Sequence, residues 1–290
     1  MNNNTRYGTQ AKVILDSINP DGYRLTTMEV TLHRFVLAEL NTHRTFVRNS
    51  ASSRAIPVEK QLAMVTEHPA FPVEYRTEKP GMSGGEHLHG RDLQDAIGLL
   101  DDIHHYTTSR IKQYLEEHPE KPNRLHKSIV NRLIEPFMWH TVIISAVEWQ
   151  NFFEQRCSPL AQPEIRLAAE LMREAYNSSQ PRVVGNDSWH TPYIQPEEYD
   201  ILSLEQRKAV SSARCARVSY LNHDGEKDVE KDLTLYNRLV SARPAHYSPL
   251  EHVATPAVYK QAARGCFGTW RQHRHDVEDA ILEGREVRVV

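Results

Sequence analysis

The chemistry-bearing residues of this chain concentrate in one stretch, Asn41 to Arg54, where His43, Arg44, Arg48 and Arg54 alternate with Asn49, Ser50, Ser52 and Ser53. Guanidinium groups present planar forks of donors that match phosphate oxygens, and serine hydroxyls add short bonds around them. A run made only for solvation mixes lysine with glutamate, and neither occurs between Asn41 and Arg54. The pattern reads as a cradle for the anion of a phosphorylated small molecule.

Such a cradle needs supports on either side. Upstream, Ala11 to Leu15 and Leu25 to Leu32 carry strand-forming residues around Asn19-Pro20-Asp21-Gly22, which predicts a hairpin. Phe35 to Leu40 then forms a short helix that delivers the cradle. Downstream, Val58 to Val65 is a short helix in an irregular region with Pro57, Pro69, Pro72 and Pro80. The loop Pro80 to Gly90 holds Glu86-His87-Leu88-His89, but two histidines at i and i+2 without a third ligand at typical spacing predict no metal site. Leu93, Ile97, Leu100, Ile103, Tyr106, Ile111 and Tyr114 fall near the 3.6 period, so Arg91 to Glu117 is read as an amphipathic helix stopped by Pro119. A helix from Ser128 broken at Pro136, a strand over Thr141 to Val147 and a helix opened by Pro163 follow. Trp149, Phe152 and Phe153 read as core. A proline-bearing linker over about 178–200 and a helix from Asp232 to Ser241 complete the pass.

With 290 residues, 39% of them hydrophobic, the chain suits one catalytic domain over 1–290 with an insertion at about 75–125. A formal net charge of -3 gives no global attraction to a nucleic-acid polymer, so anion binding must be local. Cys157, Cys215 and Cys266 are odd in number and far apart, which argues against a disulfide framework or zinc ribbon and for a reducing compartment. No apolar run reaches the length of a membrane span, and the N-terminal residues lack the apolar core of a signal peptide. The expected setting is cytoplasmic, with no membrane partner.

His43-Arg44 followed by Ser52 and Arg54 resembles the signature of flavin-dependent thymidylate synthases, with Thr42 in place of its first Arg and Ser50 in place of its Glu. Asn151, Phe152 and Arg156, then Ala161-Gln162-Pro163-Glu164-Ile165, resemble a second block of that family, and Arg132 stands before Pro136 as the family's nucleotide-binding arginine stands before its proline. Ala216-Arg217-Val218-Ser219 and His246-Tyr247-Ser248-Pro249-Leu250-Glu251-His252 resemble two further blocks, which in the family precede the cradle instead of following it. The order therefore looks circularly permuted.

The resemblance implies an α+β fold, an antiparallel sheet flanked by helices, and a homotetramer with sites between subunits. It implies conversion of dUMP to dTMP with methylenetetrahydrofolate as carbon donor and NADPH as reductant through FAD. By matched position, Ser50, Ser52, Ser53, Arg54, Arg132 and Glu39 lie at the nucleotide, Arg156 contacts the pyrimidine and acts in catalysis with Ser52, and His43, Arg44, Asn151, His246 and Ser248 contact the flavin. Glu39 replaces a Gln, and Ser145 and Val147 stand where the flavin site has Asn and Arg. Hydroxymethylation of dUMP, action on dCMP, or a nucleotide-binding homologue without activity are the alternatives. The block Trp270-Arg271-Gln272-His273-Arg274 resembles a second half-copy of the cradle motif, with Arg274 as the cation that replaces the guanidinium lost at Thr42, or else is a basic C-terminal helix.

Overall fold

The computed structural model describes residues 8–218, 228–257 and 266–290. Strand β1 (Gln10–Ile18) turns into β2 (Arg24–His33) through a tight corner in which Asn19 Oδ1 accepts from the Tyr23 amide at 2.8 Å and Gly22 takes φ +84°. A side chain would strain at that φ, so the glycine is what lets the expected hairpin close. A 3₁₀ turn, Arg34–Val36, and α1 (Leu37–Asn41) carry the chain to the cradle, which runs into the edge strand β3 (Val47–Ser50).

Helices α2 (Val58–Glu67) and α3 (Gly90–Glu117) follow, and then the single turn α4 (Lys127–Val130). On α3 the buried residues are His104, Thr108 and Ile111, while Ile97, Leu99, Ile103 and Tyr106 stay exposed. The expected break at Pro136 is instead a 3₁₀ turn over Asn131–Phe137 with the proline inside it. Proline disfavours the α conformation in the residue before it and has no amide to donate, so the segment tightens into short turns.

Strand β4 (Trp139–Ala146) then pairs with both β2 and β3, placing Thr27 opposite Ser145 and Val47 opposite Ser145 on its other side. Helices α5 (Gln150–Arg156) and α6 (Pro163–Ser178) follow. The stretch read as a linker is built into the fold. Its β5 (Arg182–Val183) pairs in parallel with the end of β1, and His190 and Thr191 are buried. Its prolines mark turns, but its amides and imidazole find partners within the body of the protein, which composition alone does not reveal.

The main sheet has the order β3-β4-β2-β1-β5, antiparallel except for that last pairing. Even-numbered residues of β2 and β4, such as Met28, Val30, Leu32, Val142 and Ile144, pack with Phe152, Ile165, Ala168 and Met172 in one core. The C-terminal third comprises α7 (Leu204–Arg217), α8 (Val229–Ser241), a 3₁₀ turn over Ser248–His252, the two-stranded pair β6 (Ala254–Pro256) and β7 (Trp270–Gln272), and α9 (His273–Leu282). It covers the opposite face: Leu25 and Val47 share a core with Ala254, Phe267 and Trp270. Within this third, Arg214 joins α7 to α8 through Asp232 at 2.8 Å and grips Glu198 with two further bonds at 2.6 and 2.7 Å.

Candidate active site

Helix α5 begins on buried Trp149, Phe152 and Phe153, and one turn beyond Phe152 the same face presents Arg156. Phe152 meets the His43 ring edge-on at 4.9 Å, so the aromatic core fixes both partners of the central contact. Arg156 Nε donates to His43 Nε2 at 2.9 Å, and its Nη2 donates to the Glu39 carbonyl at 3.2 Å and to Thr42 Oγ1 at 3.0 Å. Accepting at Nε2 leaves His43 neutral with its proton on Nδ1. Burial and the nearby Arg156 and Arg48 charges hold its pKa down to about 4. Arg48 closes the same loop from beneath, donating to the carbonyls of Leu40 at 3.1 Å and His43 at 3.0 Å.

The second half of the cradle is fastened by groups outside it. Ser53 Oγ donates to Glu135 Oε1 at 2.6 Å, Arg34 reaches the same oxygen at 3.2 Å, and Asn131 donates to the carbonyls of Ser53 at 2.9 Å and Ile56 at 3.0 Å. Ser53 is buried with its proton committed to Glu135. Ser52 is exposed, and its Oγ accepts from the Arg54 amide at 3.3 Å. Ser50 is half-buried at the end of β3. Arg54 and Arg132 are exposed, and among the described residues neither guanidinium has a protein partner.

The C-terminal third meets the cradle along β3. Asn49 Nδ2 donates to the Cys215 carbonyl at 3.0 Å, and Ser248 Oγ donates to Asn49 Oδ1 at 3.4 Å. Cys266 Sγ lies 3.7 Å from the Arg44 carbonyl. The half-copy block splits its residues between two sides. Arg274 bonds Glu251 and, at 2.8 Å, Glu278, with its guanidinium 5.2 Å from the centre of the Tyr247 ring, whereas Arg271 pairs with Asp276. Arg274 therefore sits against the segment that carries His246 and Ser248, with its charge already met by two carboxylates. Ser219, at the end of one quoted block, lies outside the described residues.

Arg44, Asn151 and His246 are exposed, and their side chains make no protein hydrogen bond among the described residues. Glu39 Oε2 is buried and has no hydrogen-bond partner there either. Together with Arg54, Arg132 and Arg156 Nη1, which is not used in the three bonds above, these are unspent donors and acceptors of the site among the described residues. Among the described residues no group of three or more His, Cys, Asp or Glu is placed to hold a metal ion, and no helix is long and apolar enough to cross a membrane. Glu135 and Asn131 were missed as parts of the site, and Arg48, read as part of the anion cradle, instead spends its guanidinium on the carbonyls of the loop. The only sequence signal for the two was that they lie close to Arg132.

The model of one protein family, the thymidylate synthase complementing proteins (Thy1), matches residues 25–182, more than half of the chain. The chain belongs to this family. The match spans the cradle, Arg132 and Arg156, while the blocks around 213–219 and 246–252 lie beyond it. Among solved structures, a UMP/dUMP methylase from Streptomyces cacaoi bound with 5-Br UMP is 14% identical over 59% of this chain and 89% of that one, with a TM-score of 0.45. The flavin-dependent thymidylate synthase of Helicobacter pylori, complexed with FAD and dUMP, is 18% identical over 52% of this chain and 67% of that one, with a TM-score of 0.36. No curated protein sequence matches.

Proposed function

We propose that this Thy1 protein is a flavin-dependent thymidylate synthase, transferring a one-carbon unit from methylenetetrahydrofolate to C5 of dUMP, with NADPH as the source of reducing equivalents. The observation that carries the reading is Arg156. Three of its bonds go to His43, Glu39 and Thr42, so the guanidinium is held rigid with Nη1 left for a ligand. A fixed cation beside N3 and O2 of a uracil stabilises the anionic ring that attacks through C5, and its charge is in place before the reaction starts. Neutral His43 orients that cation without adding a competing charge.

Arg54, Arg132 and the Ser52 hydroxyl stand ready for the phosphate, with Ser50 and Ser53 shaping the loop. The unspent donors of Arg44, Asn151 and His246 suit the diphosphate and ring edges of FAD, with His43, Ser248 and Arg274 behind them. When bound, FAD supplies the hydride that makes a methylene group a methyl group, and the protein's part is to hold and orient it. No thiol is prepared to act as a nucleophile. Burial pushes the Cys215 and Cys157 thiols up, and Cys266 is raised as well.

The same reading makes the chain a permuted member of the family, acting as a cytoplasmic homotetramer. The contacts of Cys215 and Ser248 with Asn49 support the permutation, since they bring the trailing blocks back to the cradle within one chain. A second reading has its own observation. The buried Glu39 Oε2 asks for a donor, which the exocyclic amine of dCMP provides and O4 of dUMP does not. Incubation with FAD, NADPH, methylenetetrahydrofolate and either dUMP or dCMP, followed by mass analysis, separates them. A gain of one methyl on dUMP is expected. A hydroxymethyl product or modified dCMP selects the second reading, and an unmodified nucleotide from a flavin-loaded protein rejects both.

A further inference from the structure

Across the face of the sheet that meets the C-terminal third runs an unbroken side-chain chain. Ser17 Oγ lies 2.8 Å from His190 Nδ1, His190 Nε2 lies 2.8 Å from Thr27 Oγ1, Thr27 Oγ1 lies 2.6 Å from Ser145 Oγ, and Ser145 Oγ lies 2.8 Å from His252 Nδ1. All five residues are 0% exposed. Burial keeps both imidazoles neutral, with His252 held down to about 3 and His190 well below its ordinary value. Each hydroxyl and each neutral imidazole then has one proton to give. A buried hydroxyl proton needs an acceptor, so the links must run in one direction along the chain. His252 Nε2, its far end, has no partner among the described residues.

Ser145 is the junction. Its backbone pairs with Val47 of β3, the strand that two residues on presents Asn49. Its side chain holds His252, the last residue of the turn that begins at Ser248. The Ser248–Asn49 bond therefore joins two segments that are both referenced to Ser145. A pair of apolar residues would fill the space at Ser145 and His252 with little net loss of stability, but apolar contacts let a turn slide where a hydrogen bond fixes distance and angle.

We propose that Ser145 and His252, backed by Thr27 and His190, are positioning residues that set the 246–252 turn against β3 and thereby align His246 and Ser248 on the flavin. This rests on the flavin reading above, and it gives a role to Ser145, which stands where the family has a flavin-site Asn. FAD titration of the purified protein, followed by its visible spectrum and paired with melting curves, tests it. Ser145→Ala and His252→Leu are expected to weaken FAD binding about tenfold and shift the bound-flavin spectrum. His252→Asn, whose amide reaches Ser145 from the position of Nδ1, should stay within about threefold of the parent. Thr31→Val, on the same face but outside the chain, controls for a general loss of stability. If Ser145→Ala and His252→Leu melt lower yet bind FAD as the parent does, the chain is structural only and the inference falls alone. If the parent binds no FAD, the flavin reading falls and takes the inference with it.

Discussion

Along β2, Met28, Val30 and Leu32 point into an apolar layer with α5 and α6, whereas Thr27, Glu29 and Thr31 at the alternate positions meet hydroxyls, an imidazole and a phenol. Both faces are buried, but by different means. The first excludes water through side chains that make no demand on direction. The second, beside apolar contacts of Leu25 and Val47, gives most of its polar groups a named partner: Thr27 with Ser145 and His190, Thr31 with Thr141 at 2.9 Å, Glu29 with Tyr193 at 2.6 Å. A dry face holds the fold, and a polar one sets where its cover lies. The candidate site sits where the two covers meet at the β3 edge, Arg156 coming from the first and Ser248 from the second.

The largest effect expected on this contrast is at Met28, fully buried opposite Ile144. Met28→Ala should cost about 2–5 kcal/mol of stability, because the cavity it leaves cannot collapse inside a paired strand. Denaturant midpoints measure it, and a cost under about 1 kcal/mol would mean that the apolar layer repacks freely and the contrast is overstated.

Next is Arg156→Lys, which should raise the barrier of turnover by roughly 2–4 kcal/mol while hardly moving the melting temperature, since an ammonium cannot hold His43, Thr42 and Glu39 and still face a base edge. Steady-state kinetics beside a melting curve test it. Near-parent turnover would take Arg156 out of catalysis, and a large fall in melting temperature would make it a structural staple of the cradle.

How much of this was legible follows the same division. The apolar face could be read from β2 and β4 because hydrophobic alternation has a period, and the cradle could be read because its residue types and spacing are dense within fourteen positions. The polar face could not. Thr27, Thr31, Thr141 and Ser145 alternate as solvent-facing residues would, and only the fold shows that α7, His190 and the 246–256 segment cover them. The same limit hid Glu135 and Asn131, whose bonds to Ser53 join residues about eighty positions apart. On α3 the helix and its bounds were legible, but the periodic set divides: Ile111 is buried and Tyr114 accepts from the Leu125 amide, whereas Ile97, Ile103 and Tyr106 stay exposed and the polar His104 and Thr108 are buried instead.

Acid should test the two buried imidazoles of the polar face. His252 has its pKa lowered to about 3 and His190 well below the ordinary 6.5, both by burial first. A histidine lowered in the folded state stays neutral while the unfolded chain takes up its proton, so stability is full above about pH 6.5 and falls as pH drops toward the folded value. Each such imidazole contributes a slope of about 1.4 kcal/mol per pH unit inside that window. Melting temperature measured from pH 7.5 to pH 5 should fall, and His252→Asn should flatten the fall by one proton's worth. An unchanged slope in that variant would mean that His252 does not stay neutral in its buried place.

The smallest effect is the sharpest test of the polar face, because it depends on sign more than size. Thr31 Oγ1 and Thr141 Oγ1 face each other across β2 and β4 at 2.9 Å, with Thr31 buried. Thr31→Val keeps the shape and removes one hydroxyl, which strands the other where little water reaches it, so a loss of about 1 kcal/mol is expected. Thr31→Val with Thr141→Val removes both hydroxyls and leaves two β-branched side chains that pack well on a sheet. The double variant should therefore recover most of the loss, giving a coupling of opposite sign to the single effects. A double-mutant cycle on denaturation free energies reads this directly. Were the two losses simply additive, each hydroxyl would be acting through some other group, and the polar face would not be the set of mutually satisfied pairs described above.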